Sequence, residues 1–448
     1  MPADLAALTD QLLTAARRAG ADAADALAID GTTLSIGVLK GRLEQAERAE
    51  GIDIGLRVLV GTRQAVVSSS DTRPDTIAEM AARAVAMARE APQDPTVGLA
   101  DPADVARDWD ADALDLADPA REPAPAELQD AAIRAEAAAL AVAGVTKMDQ
   151  SAAAYGRRSL HLAATNGFAG GYSRTDWSLS AVAITGEGTK MERDWYGESR
   201  TYGSDLPVPE EVGRRAGERT VARAGARKPP TGAFPVLYDE RVASSLVGHI
   251  LAATNGSAIV RGASWLRDAL GEQILPAGLS IEEDPLRPRV AGSRPFDGEG
   301  LPVRRRLIVD DGTLVAWTLD LATARKLGVR STGSASRGPS SPPSPSNTNI
   351  ALTQGSRTRE DLIRDMGTGL LVTSLIGSSV NPNTGDYSRG AAGFWIENGE
   401  IAYPVNECTI AGNLRDMLRT LIPANDARAW TSRVVPSLLV EGLTLAGE

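Results

Sequence analysis

The 448-residue sequence predicts an α+β fold in two parts. Residues 1–228 form an N-terminal α/β domain with helices and a strand meander; residues 229–448 form a β-rich, mostly antiparallel domain. Three observations carry this expectation. Apolar residues recur at helical spacing over 4–19. They alternate with a period of two over much of 24–69. In the second half, Asp-Gly and Asn-Gly pairs sit between short apolar runs, as tight antiparallel hairpins require. The division falls at about 226–232, where a helical pattern stops before Pro229-Pro230.

Taken in order, Leu5, Leu8, Leu12 and Ala16 mark one face of a first helix over 4–19. Leu34, Ile36 and Val38 alternate with polar neighbours, as do Ile52, Ile54 and Leu56, then Val58 and Val60. Pro74 opens a second helix that runs to about Glu90, because a missing N–H costs nothing in a first turn. Residues 91–126 are rich in Pro, Asp and Ala without periodicity and read as a long connection. A third helix is expected at 127–143, strands from 145, a hairpin turn at Gly186-Glu187-Gly188 and a helix at 207–225. The second half opens with a strand, Pro235 to Tyr238, and a helix, Glu240 to Thr254, and is then mostly strand. Asp311-Gly312 separates Leu307-Ile308-Val309 from Leu314-Val315-Ala316, and Asn398-Gly399 separates Phe394-Trp395-Ile396 from Ile401-Ala402-Tyr403. Short helices are expected near 320–327, 358–365 and 412–419. The Ser-, Pro- and Gly-dense stretch 330–349 reads as a long loop.

Composition excludes several functions. The chain is 43% hydrophobic and 23% charged, ordinary for a globular protein with a sizeable core. A net charge of -11 repels phosphate backbones, so no nucleic-acid partner is expected. The basic run Arg304 to Arg306 reads as a solvated strand end. One cysteine, Cys408, allows no disulfide within the chain and suits a reducing compartment. The first residues lack a basic segment followed by an apolar run, and no run of about 18 apolar residues occurs. Neither a secretion signal nor a membrane contact is expected, and the expected compartment is the cytoplasm.

The chain has two histidines, His161 and His249, too few for most metal sites. Helical zinc motifs need two imidazoles and a carboxylate on one helix. His249 alone lies on an expected helix, where it reads as core-facing and hydrogen-bonded. His161 lies in an expected strand and reads as structural, and Cys408 as an inert buried thiol. Ser245 and His249, four residues apart, could hydrogen-bond, but a serine on that helix is poorly placed for nucleophilic attack. No Gly-x-Ser-x-Gly elbow or phosphate loop occurs. Glu282, Glu283 and Asp284 read as a solvated turn. What remains are segments rich in glycine, hydroxyls and amides: Ser331, Thr332 and Gly333, and the run 377–393 with Asn381, Thr384, Gly385, Asp386 and Ser388. Such surfaces suit extended peptides, because the backbone can approach closely and bond without charge.

The run from Gly377 to Leu414, GSSVNPNTGDYSRGAAGFWIENGEIAYPVNECTIAGNL, resembles the C-terminal block of the TldD/PmbA family. STGSASRG at 331–338, Gly292-Ser293 with Phe296-Asp297-Gly298-Glu299-Gly300, and Thr62 to Asp71 fit the same family, so the resemblance spans nearly the whole chain. It implies an N-terminal α/β domain followed by a barrel-like C-terminal domain. It also implies a pair of similar subunits enclosing a chamber. The TldD-like subunit carries a zinc-binding His-Glu-x-x-x-His helix and a further cysteine; the TldE/PmbA-like subunit lacks them. Set on that motif, Ser244 replaces the first histidine, Ser245 replaces the glutamate, and His249 remains; residues 426–436 offer no cysteine. The resemblance therefore implies a non-catalytic subunit with no cofactor of its own, zinc in a TldD-like partner, and peptide substrates that are degraded or, as leader peptides, trimmed. The alternatives are a stand-alone non-metal hydrolase and a homodimeric peptide-binding protein without catalysis.

Overall fold

The protein is described by a computed structural model covering residues 4–447. Met1, Pro2 and Ala3, part of the stretch read for a secretion signal, and Glu448 lie outside the described residues. Asp4 caps helix α1 (Leu5–Ala19) by accepting from the Ala7 N–H at 3.0 Å. Three strands follow: β1 (Ala23–Leu39), β2 (Arg42–Val60) and β3 (Arg63–Ser69). After α2 (Pro74–Glu90) and the long connection come α3 (Pro125–Leu140), β4 (Val145–Ala164), β5 (Ala169–Thr185), β6 (Glu192–Arg200) and α4 (Pro209–Ala222). The six strands make one antiparallel sheet in the order β3-β2-β1-β4-β5-β6.

All four helices cover one face of this sheet. Ala24, Ala26 and Ala28 of β1 pack with α1 and α2, while Leu34, Ile36 and Val38 of the same strand pack with α3 and α4. Those six positions share parity, so the odd-numbered side chains of β1, including Leu27 and Ile29, point to the opposite face. That face meets the second half of the chain.

The second half is built on a closed barrel. Strand β7 (Gly232–Tyr238) runs parallel to the strand Gly369–Val380, and the remaining pairings of the ring are antiparallel. The strand Glu400–Asn413 pairs with both Asp386–Glu397 and Leu438–Ala446, which closes the ring. Helix α5 (Glu240–Ala253) follows β7 directly, and its Leu246, Val247 and Ile250 join the core formed with Tyr238 and Trp395. The helix Arg359–Met366 packs on the opposite side of the same strands, against Leu237, Leu371 and Ile396. Both expected tight turns form, with positive φ at Asp311, Gly312, Asn398 and Gly399.

Some expectations fail for physical reasons. Residues 255–349 are not mostly strand: a short helix, Gly256–Arg261, opens them, and the strands Ile281–Glu283, Arg306–Asp310 and Thr313–Leu314 are brief. Prolines 285, 288, 295 and 302 remove ladder donors across 284–305, which stays irregular. Nor are the two charged runs simply solvated. Glu283 lies opposite Arg306 in adjacent strands, 3% exposed, with the two side chains 2.6 Å apart. Each charge looked exposed by itself; the sheet register pairs them.

The two halves are joined by a buried ion triad. Asp25 of β1 accepts from Arg57 of β2 at 2.8 Å and from Arg337 of the 330–349 loop, and all three side chains are buried. Beside it, Gly55 lets the loop come close: a Cβ there would lie 2.2 Å from the Pro339 carbonyl oxygen. Burial pushes the Asp25 carboxyl up, but the guanidiniums of Arg337 and Arg57 outweigh it and hold it below the ordinary aspartate value.

Replacing Asp25 by Ala leaves two buried cations without their shared partner and is expected to destabilise the chain by about 3–5 kcal/mol in urea unfolding. Because the folded value is depressed, the stabilisation is present above an unfolded pKa of about 3.9 and is lost as pH falls through the folded value. The stability of Asp25→Ala should therefore fall less steeply than that of the native chain below about pH 4.

Candidate functional site

Helix α5 starts where β7 leaves the barrel. Asp239 caps it by accepting from the Arg241 N–H, and the Glu240 N–H donates to Ser437 Oγ at 3.0 Å. The buried face carries Ala243, Leu246, Val247, Ile250 and Leu251. Ser244, Ser245, Gly248 and His249 fall on the other, half-buried face. This is the face on which a zinc motif with the spacing described above would present its ligands.

Ser244 and Ser245 line a cavity of about 300 Å³. Its other walls are Arg241, Thr373 and Ser374, Arg389 from the neighbouring barrel strand, and Trp195 from β6. The Ser245 hydroxyl donates to the Val242 carbonyl at 2.7 Å, so it is engaged by its own helix rather than by His249. Thr373 Oγ1 and Arg389 Nε are buried without a hydrogen-bond partner among the described residues.

His249 departs from its expected state. It is half-buried, its Nε2 has no hydrogen-bond partner among the described residues, and its ring meets Tyr387 edge-on with centroids 5.7 Å apart. Burial, helped by the charge of Arg389, lowers its pKa, so the imidazole is neutral at pH 7. The sequence pattern placed a polar ring between two apolar rows but could not show that an aromatic ring, not an acceptor, would occupy its side.

The donor set does not fit zinc. One imidazole stands beside a guanidinium, and the two motif positions before it are hydroxyls. Among the described residues no three His, Cys, Asp or Glu side chains gather as a metal-binding group. The stretch 426–436 does reach the start of α5, but through Arg428, which donates to Glu240 at 2.7 Å. Cys408 is buried in the barrel, donates to the Ala391 carbonyl at 3.2 Å, and burial pushes its thiol up to about 11. His161 bonds Thr9 of α1 through Nδ1 at 2.8 Å.

The peptide-binding candidates are anchored apart from this cavity. Ser331 and Thr332 donate to the Leu319 carbonyl, and Gly333, at positive φ, packs on Pro302. Asn381 to Asp386 form the turn between two barrel strands. There Thr384 donates to Asp386 at 2.6 Å, and Asn413 donates to Asp386 and to the Thr384 carbonyl. Gly385 has positive φ, and Ser388 lies within the strand between Ser379 and Ala411. The hydroxyls of Ser331 and Thr332 and of Thr384 are thus used in shaping loops. Thr373, Arg389 and Trp195, which do line the cavity, gave no sequence signal, because strand alternation does not reveal which face meets a distant helix; Arg241, one turn before Ser244 on α5 itself, joins them.

Comparison with known proteins agrees with this architecture. The C-terminal domain profile of the PmbA/TldA metallopeptidases matches residues 231–447, the central-domain profile 118–224 and the domain 1 profile 24–88. The Metalloprotease PmbA of Escherichia coli O157:H7 is 39% identical over 95% of this chain and 93% of its own length. A PmbA homologue of Haemophilus influenzae is 34% identical over 96% and 94%. A solved Bacteroides thetaiotaomicron protein, described as a candidate modulator of DNA gyrase, superposes with a TM-score of 0.91 at 27% identity over 100% of both chains. TldE from Thermococcus kodakarensis shares the fold, with a TM-score of 0.84 at 19% identity over 98% of this chain and 100% of its own. The chain belongs to the PmbA/TldD family of metallopeptidases.

Proposed function

We propose that this chain is the non-catalytic, TldE/PmbA-type subunit of a two-subunit metallopeptidase. A TldD-like partner supplies the zinc, and the pair degrades short or unfolded peptides or trims leader peptides in the cytoplasm. The observation that carries this reading is the half-buried face of α5, where Ser244 and Ser245 stand at the motif positions and the charge of Arg389 acts on the single remaining imidazole. A guanidinium beside a would-be ligand repels a divalent cation, while the same cavity of hydroxyls and guanidiniums can accept peptide carbonyls or carboxylates. Apolar surface near its mouth supports docking of another chain: Trp195 is 53% exposed and Ile376, next to the lining residue Leu375, is 72% exposed. In the pair this chain shapes the chamber and orients the peptide, and bond cleavage belongs to the partner.

The purified chain is expected to cleave no fluorogenic peptide alone and to support cleavage when co-expressed with a zinc-bearing TldD-like homologue. Sustained turnover by the isolated chain contradicts the reading. A second expectation separates it from a serine hydrolase: Ser245→Ala should leave turnover by the pair within about twofold, because a half-buried hydroxyl bonded to its own helix adds little. Loss of turnover to background in that variant would assign chemistry to this chain.

A further inference from the structure

The helix-free face of the first sheet meets the loops at 291–298 and 336–348 across a second cavity, of about 290 Å³. Its sheet wall has two adjoining rows. Ile29, Leu160 and Tyr172 lie side by side across β1, β4 and β5. In the row two residues along, Arg158 lies directly opposite Arg174, with Gly31 beside them. Like charges directly opposite in a sheet destabilise it, so this pair calls for negative charge nearby.

The facing loops add cations. Arg294 and Arg337 line the same cavity. The Arg337 side chain is 2% exposed; its Nη1 donates to Asp25, while its Nε and Nη2 have no hydrogen-bond partner among the described residues. Arg174 donates to the carbonyls of Ala291 and Ser293, and Arg294 to that of Ala335. The Nε atoms of both are buried and unpartnered. Carboxylates do not balance this set. Asp25 is shared with Arg57. Asp297 lines the cavity but accepts the backbone N–H groups of Glu299, Leu301 and Ala335, and Glu299 accepts from the Leu321 N–H. Burial pushes both carboxyls up, outweighing the charge of Arg294 at Asp297, and Asp297 raises Glu299 further.

We infer that this cavity binds the C-terminal carboxylate of a peptide whose last residue is apolar. Guanidinium forks match a carboxylate in two-pronged fashion, and the Ile29, Leu160 and Tyr172 row offers an adjoining apolar seat. The volume lies at the low end for small-ligand sites of about 300–1,000 Å³, which suits one terminal residue. The loop that carries Arg337 also carries Ser331, Thr332 and Gly333, so those residues serve the site by shaping its wall rather than by touching the peptide. The inference rests on the proposed function in one respect, that peptides reach this chain.

The test uses the full chain alone, without a partner and without cleavage, so it reads independently of whether the chain is a non-catalytic subunit. N-acetyl-Leu-Leu with a free carboxylate is titrated calorimetrically beside its C-terminal amide and beside isovalerate. Saturable binding of the acid is expected, with the amide weaker by about tenfold or more, as loss of charge-assisted hydrogen bonds implies. Isovalerate should bind more weakly than the dipeptide acid. Arg158→Gln, at an exposed position, should weaken the acid and not the amide with an unchanged melting temperature, and Arg294→Gln should do the same to the acid. Arg214→Gln, an exposed cation of α4 that lines neither cavity, should change nothing. Equal binding of acid and amide, no saturation, isovalerate binding as tightly as the dipeptide, or loss in Arg214→Gln but not in Arg158→Gln would each overturn the inference.

Discussion

The arrangement around α5 depends on one buried carboxylate, Asp239. It is 2% exposed, caps α5, and pairs with Arg241 and Arg359, each at 2.9 Å. Its backbone N–H donates to Val372 of the barrel at 2.9 Å. Arg241 reaches on to Asp194 of β6 at 3.4 Å, and Arg223 at the end of α4 approaches the same carboxylate. A single side chain thus fixes the helix, the barrel, the outer helix and the first sheet relative to each other. Burial alone would push its carboxyl up; the two guanidiniums and the helix cap outweigh burial and hold it ionised. An isolated buried charge costs several kcal/mol, so the cluster is stable only when complete.

With α5 held this way, the chemistry of the site turns on a few side chains. The same helix face could carry two imidazoles and a carboxylate, or hydroxyls. Here Ser244 and Ser245 sit over a cavity walled by Arg389, and His249 leans its ring on Tyr387. A neutral imidazole is the state that binds metal, yet its neighbour is a fixed positive charge. The site is therefore coherent as a receptor for carbonyl or carboxylate groups and incoherent as a cation site. The inter-half cavity repeats that preference, with Arg158, Arg174, Arg294 and Arg337 lining it against one carboxyl, Asp297.

Much of the fold was legible in the sequence because local patterns decide it. The helices at 5–19 and 74–90, the first strands and both tight turns follow from spacing and turn chemistry within a few residues. The family resemblance pointed to α5 and to the barrel. What the sequence hid depends on long-range register. Glu283 and Arg306 read as solvated until adjacent strands set them opposite each other. Arg337 read as part of a long Ser-, Pro- and Gly-dense loop, yet it is buried on Asp25. Arg158 and Arg174 are separated by one hairpin, and only the pairing of β4 with β5 puts them side by side. The hydroxyl-rich segments were conspicuous by composition, but the bonds of Ser331, Thr332 and Thr384 are spent on their own loops.

The proposed function places metal chemistry in the other member of the pair. The most direct measurement is the zinc stoichiometry of the co-purified complex with a TldD-like subunit, read by native mass spectrometry beside the isolated chain. A single zinc per pair and no retained zinc in the isolated chain are expected. A second zinc per pair, or a stoichiometric zinc in the chain alone, would contradict that assignment.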